Sequence, residues 1–374
     1  MLSRVLAIVA LSLATVTADA GPYTDLIVFG DSLSDVGNTA AATFGIQPGS
    51  NYYQGRFSNG PVYAEHLATG LGLGTLTRDA LGGDDFAYGG AETNGPGGFE
   101  GLFLNSLVEQ VDDYLDRLEG MTPDPQTLFV VFIGANDFIR GGQTNVTIPA
   151  NVVQTQLGRL INAGASQFLG INLPLLGLTP QYNTDPAVSQ TFSNRSRSYN
   201  AALEGVYEGV ESGNPGVTIH RLDVASLFSG FLEDAASLGF VNTTQAGRDA
   251  SGGSLDGAPG YVFWDGVHPT RELHALLGEA AIRAVLPAGD YDRDGVLAAV
   301  DYDAWNEAYG TAFNAFAGQT PSLAADGNGD GRVDAADYTL WRDLLATTLV
   351  AIPEPATMLF VYVAMIGLVQ RPRG

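Results

Sequence analysis

A serine hydroxyl becomes a useful nucleophile only when a base removes its proton and a third group fixes that base's tautomer. Ser32, in Ile27-Val28-Phe29-Gly30-Asp31-Ser32-Leu33-Ser34-Asp35, is a candidate for the attacking group. The chain has 4 histidines from which to draw the base. His66 lies in an amphipathic run and reads as a helix-surface residue, His220 falls inside an apolar strand pattern, and His274 is in mid-helix. His268 alone sits in an irregular turn, Trp264-Asp265-Gly266-Val267-His268-Pro269-Thr270. Asp265 is three residues upstream, and Gly266 lets the backbone fold so that its carboxylate reaches the His268 Nδ1. Acyl chemistry also needs donors aimed at a developing oxyanion. The Ser32 N–H is one, the Asn136 amide in Ile133-Gly134-Ala135-Asn136-Asp137 is a second, and the bend Ala87-Tyr88-Gly89-Gly90-Ala91 offers a backbone N–H. The plain alternative is a strand-end turn in which Ser32 only caps a helix.

These residues need a scaffold that brings them to one edge. Short apolar runs at 25–29, 127–133, 167–172 and 217–222 read as buried strands. Amphipathic stretches at 61–70, 106–118, 149–163, 189–211 and 271–284 read as helices between and after them. Strands alternating with helices predict an α/β domain around a parallel sheet. Gly-rich segments at 45–60, 82–101 and 247–260 are expected to gather as loops at one end of that sheet, where ligand sites of open α/β folds form.

Taken together, the blocks resemble the GDSL, or SGNH, hydrolase family. Gly30-Asp31-Ser32-Leu33-Ser34-Asp35 is similar to its first block and the glycine pair 89–90 to its second. Gly134-Ala135-Asn136-Asp137 resembles the third block and Asp265-Gly266-Val267-His268 the last, all in family order. Arg56-Phe57-Ser58-Asn59-Gly60-Pro61 resembles a loop of the lipase-like members. The resemblance implies a flavodoxin-like three-layer α/β/α fold. It implies Ser32 as nucleophile, His268 as base and Asp265 as its orienter. It also implies an oxyanion hole of the Ser32 N–H, a glycine of the second block (Gly90 favoured over Gly89) and Asn136. Asp85 stands where many members have Asn. No G-x-S-x-G elbow is present, so the ordinary α/β-hydrolase architecture is not expected.

Beyond Pro287-Ala288-Gly289 the composition changes. Residues 290–343 hold 11 acidic and 3 basic side chains, a net of −8. Two similar units, Asp290-Tyr-Asp-Arg-Asp-Gly and Asp326-Gly-Asn-Gly-Asp-Gly, repeat with a period of 36 residues. A calcium loop wants oxygens at positions 1, 3, 5, 7, 9 and 12 and Gly at 6. The first unit offers Asp290, Asp292, Asp294 and Asp301, the second Asp326, Asn328, Asp330, Asp334 and Asp337. Asp rather than Glu at position 12 makes the pair similar to a type I dockerin duplication, a small all-α calcium-binding domain with two structural Ca²⁺ ions. A core around Val296, Trp305, Val333 and Trp341 is expected. Positions 10 and 11 often carry Ser-Thr toward cohesin in dockerins. Here they are Ala299-Val300 and Ala335-Ala336, which weighs against a cohesin partner.

The termini read as targeting signals. Arg4, an apolar run to Ala14 and Ala18-Asp19-Ala20 form a signal-peptide pattern, with a mature chain from about Gly21. Pro353-Glu354-Pro355, an apolar run to Val369 and two arginines are similar to a PEP-CTERM sorting signal. The expected organisation is therefore a signal peptide (1–20), hydrolase domain (21–286), calcium module (287–346) and sorting segment (350–374). The protein is expected outside the cytoplasm, meeting a membrane only through its C-terminal segment. A formal charge of −24 argues against nucleic-acid partners. With no cysteine, disulfides and thiolate chemistry are excluded. The expected activity is hydrolysis of carboxylic esters, of lipids or acylated carbohydrates, with no cofactor for catalysis. Two rivals are a carbohydrate acetylesterase of the same fold and an inactive surface binding or scaffold protein.

Overall fold

The computed structural model describes residues 21–95, 103–318 and 321–350. The expected signal peptide and the apolar run of the sorting segment lie outside these residues.

Four parallel strands form the sheet, β1 (Asp25–Gly30), β2 (Thr127–Phe132), β3 (Gln167–Ile171) and β4 (Thr218–Leu222), in that spatial order. Register is regular, with Asp25 opposite Thr127 and Gly30 opposite Phe132. All six residues of β2 are buried, which is why its sequence shows an apolar run rather than alternation. Its rings reach both faces. Phe129 packs edge-on against Tyr114 of α3 (Leu107–Leu118), while Phe132, on the opposite face, meets Tyr63 of α2 (Tyr63–Gly70). Helix α9 (Arg271–Val285) packs with α2. On the other face α3 leads to α5 (Thr147–Ala163) and then α6 (Pro186–Gly213).

Two expectations about strands and helices need correction. The Gly-rich stretch from 82 does not begin as a free loop: residues 84–88 run beside β1. The Val28 N–H donates to Asp84 O (2.9 Å), Phe86 N–H to Val28 O (2.8 Å) and Tyr88 N–H to Gly30 O (3.2 Å). This makes β1 an interior strand, although Gly82 and Gly83 hide the segment from any β-propensity reading. Helix α6 starts three residues before the expected 189, because Asp185 caps it through the Ala187 and Val188 amides and Pro186 sits at its first position.

Shorter helices complete the α/β region: α1 (Asn38–Ala42), α4 (Ala135–Ile139), α7 (Val224–Glu233) and α8 (Gly247–Ala250). A separate pair, β5 (Asn242–Ala246) and β6 (Tyr261–Phe263), leads into the turn before α9. In the tail, each acidic loop runs into a helix, α10 (Asp301–Ala308) and α11 (Ala335–Val350). The tail's own buried core is Tyr291, Ala325, Val333 and Trp341, with Leu297 and Trp305 packed against it. Val296, expected there, is 59% exposed. The 36-residue period explains this, since it maps Val333 onto Leu297 rather than Val296. Between the loops, Phe313, Ala315 and Leu323 join the main core, and Arg293 pairs with Glu279 of α9. The tail is thus packed onto the α/β region. No helix among the described residues is long and apolar enough to cross a membrane.

Candidate active site

The β1 strand ends at Gly30, where nothing larger fits: a Cβ there would lie 2.7 Å from Phe132 O. The next residues form a tight turn, with Ser34 and Asp35 N–H donating to Asp31 O. That turn leaves Ser32 almost buried, at 8% exposure, over the carboxyl ends of the strands. The turn before α9 supplies its partner. His268 Nε2 lies 2.7 Å from the Ser32 Oγ, and His268 Nδ1 lies 2.7 Å from Asp265 Oδ2. A carboxylate only accepts, so Nδ1 carries the proton and Nε2 is left as the acceptor facing the serine. Asp265 is itself held by the Val267 and His268 N–H groups, which donate to Oδ1 at 2.9 and 2.8 Å. Burial alone would push its carboxyl up. The neighbouring His268, the Tyr52 hydroxyl and the Val267 amide outweigh that and hold it below the usual carboxylate range.

Gly90, Asn136 and Ser32 line one cavity of about 170 Å³ with His268. The glycine choice has a geometric answer. Gly89 N–H is engaged by Asp35 Oδ2 (2.9 Å) and Thr39 Oγ1 (2.7 Å), whereas Gly90, at φ +86°, faces the cavity. Asp35 also accepts from the Gly37, Asn38 and Thr39 amides, so one buried carboxylate fixes both the turn after Ser32 and the glycine loop. On its other side, this loop is tied to α4. Asn136 Nδ2 donates to Ala91 O (3.0 Å), and Thr93 donates through N–H and Oγ1 to Asp137. The second amide hydrogen of Asn136 has only a long contact to Asp31 Oδ2, at 3.4 Å, and can turn to a ligand. The cavity walls are mostly apolar: Leu33, Phe57, Ile139, Pro174, Leu176 and Val267.

Buried acids surround this assembly. Burial pushes the Asp31 carboxyl up to about 6, and burial with the neighbouring Asp35 raises Asp85 well above the ordinary value. Asp85 holds the 84–88 segment to the first turn, accepting from Val36 N–H (2.8 Å) and Ala87 N–H (3.1 Å). The other histidines do other work. His274 Nδ1 accepts from Tyr63 N–H, and burial pushes its pKa down to about 3. His220 meets Tyr23 Oη at 3.3 Å. His66 is half-buried where α2 faces Gly278 of α9, a correction to its expected surface role. Two residues at the site escaped the sequence reading. Tyr52 Oη donates to Asp265 Oδ2 at 2.6 Å, and Arg248 Nη1 donates to Tyr52 Oη at 2.6 Å. Both come from Gly-rich segments without periodicity, and they lie 196 residues apart.

The acidic loops are built alike. The position-1 carboxylate accepts from the position-6 N–H, Asp290 from Gly295 and Asp326 from Gly331, each at 2.9 Å. The position-12 carboxylate accepts from the position-9 N–H, Asp301 from Ala298 and Asp337 from Asp334, each at 2.7 Å. Ligand oxygens of Asp290, Asp292 and Asp294 lie within 4.8 Å of one another. Asp290 Oδ1 is buried with no hydrogen-bond partner among the described residues. In the second loop, Asn328 Nδ2 donates to Asp330 Oδ2 at 3.0 Å. Asp326 is instead fully engaged, its Oδ1 accepting from the Gly329 and Asp330 amides. Burial pushes Asp290 and Asp326 up to about 6.

Several known proteins are similar to this chain over roughly two thirds of its length. The chain is 31% identical over 265 residues to the secreted effector protein SseJ of Salmonella typhimurium, covering 68% of this chain and 62% of the effector. It is 27% identical over 321 residues to a phosphatidylcholine-sterol acyltransferase of Aeromonas hydrophila, covering 72% of this chain and 92% of that enzyme. A solved lipolytic protein of the G-D-S-L family from Veillonella parvula aligns over 69% of this chain and 96% of its own, at 12% identity and a TM-score of 0.38. The family described as GDSL-like Lipase/Acylhydrolase matches residues 26–281, and this chain belongs to that family of carboxylic ester hydrolases.

Proposed function

We propose that the chain hydrolyses carboxylic esters through an acyl-enzyme on Ser32. The observation that carries this reading is the continuous contact from Ser32 Oγ through His268 to Asp265. His268 Nε2 takes the hydroxyl proton as Oγ attacks the ester carbonyl carbon. The carbonyl oxygen gains the charge and is met by the Ser32 N–H, the Gly90 N–H and Asn136 Nδ2. Collapse breaks the bond to the alcohol oxygen, and His268 returns the proton to that leaving group. Water then enters, gives its proton to His268 and attacks the acyl carbon, and Ser32 recovers its proton as the acid departs. Asp265 stays ionised throughout and stabilises the imidazolium.

The apolar walls favour the acyl side of an ester, and a cavity of about 170 Å³ favours short acyl groups. This size supports a second reading, a carbohydrate acetylesterase of the same fold. The complete set of Ser32, His268 and Asp265 speaks against an inactive binding or scaffold protein. Purified protein tested on p-nitrophenyl esters of rising chain length and on acylated sugars separates the three. Ser32→Ala should lose all of the activity found, and activity retained in that variant would overturn the mechanism.

The tail reads as a dockerin-like calcium module with two structural ions. Support comes from the repeated loop geometry and from the unpartnered Asp290 Oδ1, which suits a cation held by Asp290, Asp292 and Asp294 with Asp301. Asp326, Asn328, Asp330, Asp334 and Asp337 would hold the second ion. Calcium would supply charge neutralisation and rigidity, with no part in the ester chemistry. Export and release or anchoring at the C-terminus complete the proposal. They rest on Ala18-Asp19-Ala20 and Pro353-Glu354-Pro355. Intact mass of the secreted protein tests them, and a soluble species retaining both Met1 and Gly374 would overturn them.

A further inference from the structure

We propose that Tyr52 and Arg248 are positioning residues of the reaction, holding the outer oxygen of Asp265 and moderating its charge; this rests on the reading of Ser32, His268 and Asp265 above. The Asp265 carboxylate has two unlike ends. Oδ1 is saturated by the Val267 and His268 amides of its own turn. Among the described residues Oδ2, the oxygen closer to His268 Nδ1, receives one other strong donor, the Tyr52 hydroxyl at 2.6 Å.

Arg248 settles which way that hydroxyl points. A phenol has one proton and can also accept, so alone it could turn away from Asp265. A guanidinium only donates. With Arg248 Nη1 at 2.6 Å from the phenol oxygen, the Tyr52 proton has Asp265 Oδ2 as its acceptor. Arg248 is well set for this, since its own backbone N–H donates to Trp264 O at 2.8 Å, beside Asp265. Tyr52 is set by its neighbours too. Trp264 Nε1 donates to Asn51 O, and the Tyr52 ring lies against Phe57, whose ring in turn lies 5.2 Å from His268. Two Gly-rich loops therefore meet on the acid of the site.

The charge argument has a definite sign. The Tyr52 hydrogen bond and the nearby positive Arg248 draw negative charge away from the side of Asp265 facing His268. Removing either concentrates that charge on Oδ2 and favours the imidazolium over the neutral ring. His268 also faces Asp31 from the first turn, His274 from α9 and Arg140 across the cavity. None of these is changed by the substitutions below.

The test compares Tyr52→Phe, Arg248→Met and Arg248→Lys with wild type and Ser32→Ala, using a soluble p-nitrophenyl ester. Tyr52→Phe keeps the ring and loses one strong hydrogen bond. Its kcat should fall about tenfold with KM unchanged, and the acidic limb of kcat/KM should move to higher pH. Arg248→Met should move the limb the same way with a smaller loss, and Arg248→Lys should restore most of it. A wild-type kcat and unmoved limb in Tyr52→Phe, with Ser32→Ala inactive, overturns the inference alone. So does a loss that tracks a lower melting temperature with the limb unmoved. Should Tyr52→Phe fail to fold, Arg248→Met decides by the same criteria. Activity in Ser32→Ala would instead overturn the underlying reading of the site.

Discussion

The buried aspartates of the hydrolase region and Asp290 of the tail do opposite work. In the hydrolase region, Asp35, Asp85, Asp137 and Asp265 are buried, and each is met by N–H or O–H donors from neighbouring turns. Those carboxylates act as internal connectors, and a large apolar core around a parallel sheet keeps their partners in register. Among the described residues of the tail, four form its own buried core, and Asp290 keeps an oxygen without a partner there. A carboxylate can thus be satisfied by the chain that folds around it, or by something the chain must recruit. The first arrangement suits a site that is ready before substrate arrives, and the second suits a part whose order depends on solution conditions.

The largest effects should come from the region that is complete in itself. Ser32→Ala and His268→Ala should each cut kcat by roughly 10⁴-fold or more, and the double variant should be little worse than either. Multiplying losses would show that the two do not act as one unit. Asn136→Ala should lower kcat by roughly 10²-fold with little change in KM. A pure KM effect would mean that this amide binds the ground state. In the tail, the unpartnered carboxylate oxygen predicts that calcium restores order lost to EDTA. Because Phe313, Ala315 and Leu323 lie in the main core and Arg293 pairs with α9, the loss should reach the hydrolase region. Its melting temperature should fall by roughly 5 °C in EDTA while the kcat at 25 °C holds. Two unlinked transitions in calorimetry would restore the picture of a separate appendage.

The smallest effect concerns Asp85. Burial first, and then Asp35, raise its carboxyl above the ordinary value, so the folded state holds a proton that the unfolded state releases. Its contribution to stability is present below the ordinary carboxylate pKa and is lost as pH rises through the raised value. Above the ordinary carboxylate range, the melting temperature should therefore fall more steeply with rising pH for wild type than for Asp85→Asn, by a few degrees. Parallel curves would show that Asp85 titrates normally in the fold.

What could be read from the sequence was mainly what is local. Asp265 and His268 are three residues apart in one turn, and the strand carrying Ser32 is an unbroken apolar run that leaves little choice of structure. The repeated acidic loops were legible for the same reason, each lying within twelve residues. Contacts between distant irregular segments were not. Nothing in residues 45–60 or 247–260 announces that Tyr52 will meet Arg248, because loops have no period from which a facing side can be read. The edge segment at 84–88 is hidden by the glycine pairs that flank it, and Val296 stands in for Leu297 because adjacent apolar residues offer two candidates for one inward position. Gly89 and Gly90 could be told apart only once Asp35 was seen to engage the first.

The walls of the cavity have one further consequence. Leu33, Phe57, Ile139, Pro174, Leu176 and Val267 come from five separate stretches of chain, and Asp35 and Asp137 anchor the glycine loop through other residues. Preference for an acyl group can therefore be retuned one wall residue at a time, without disturbing the carboxylates that hold the loop. Such an arrangement makes substrate choice cheap to diversify over generations while the chemistry stays put, and it makes these six positions the natural starting library for directed change of selectivity.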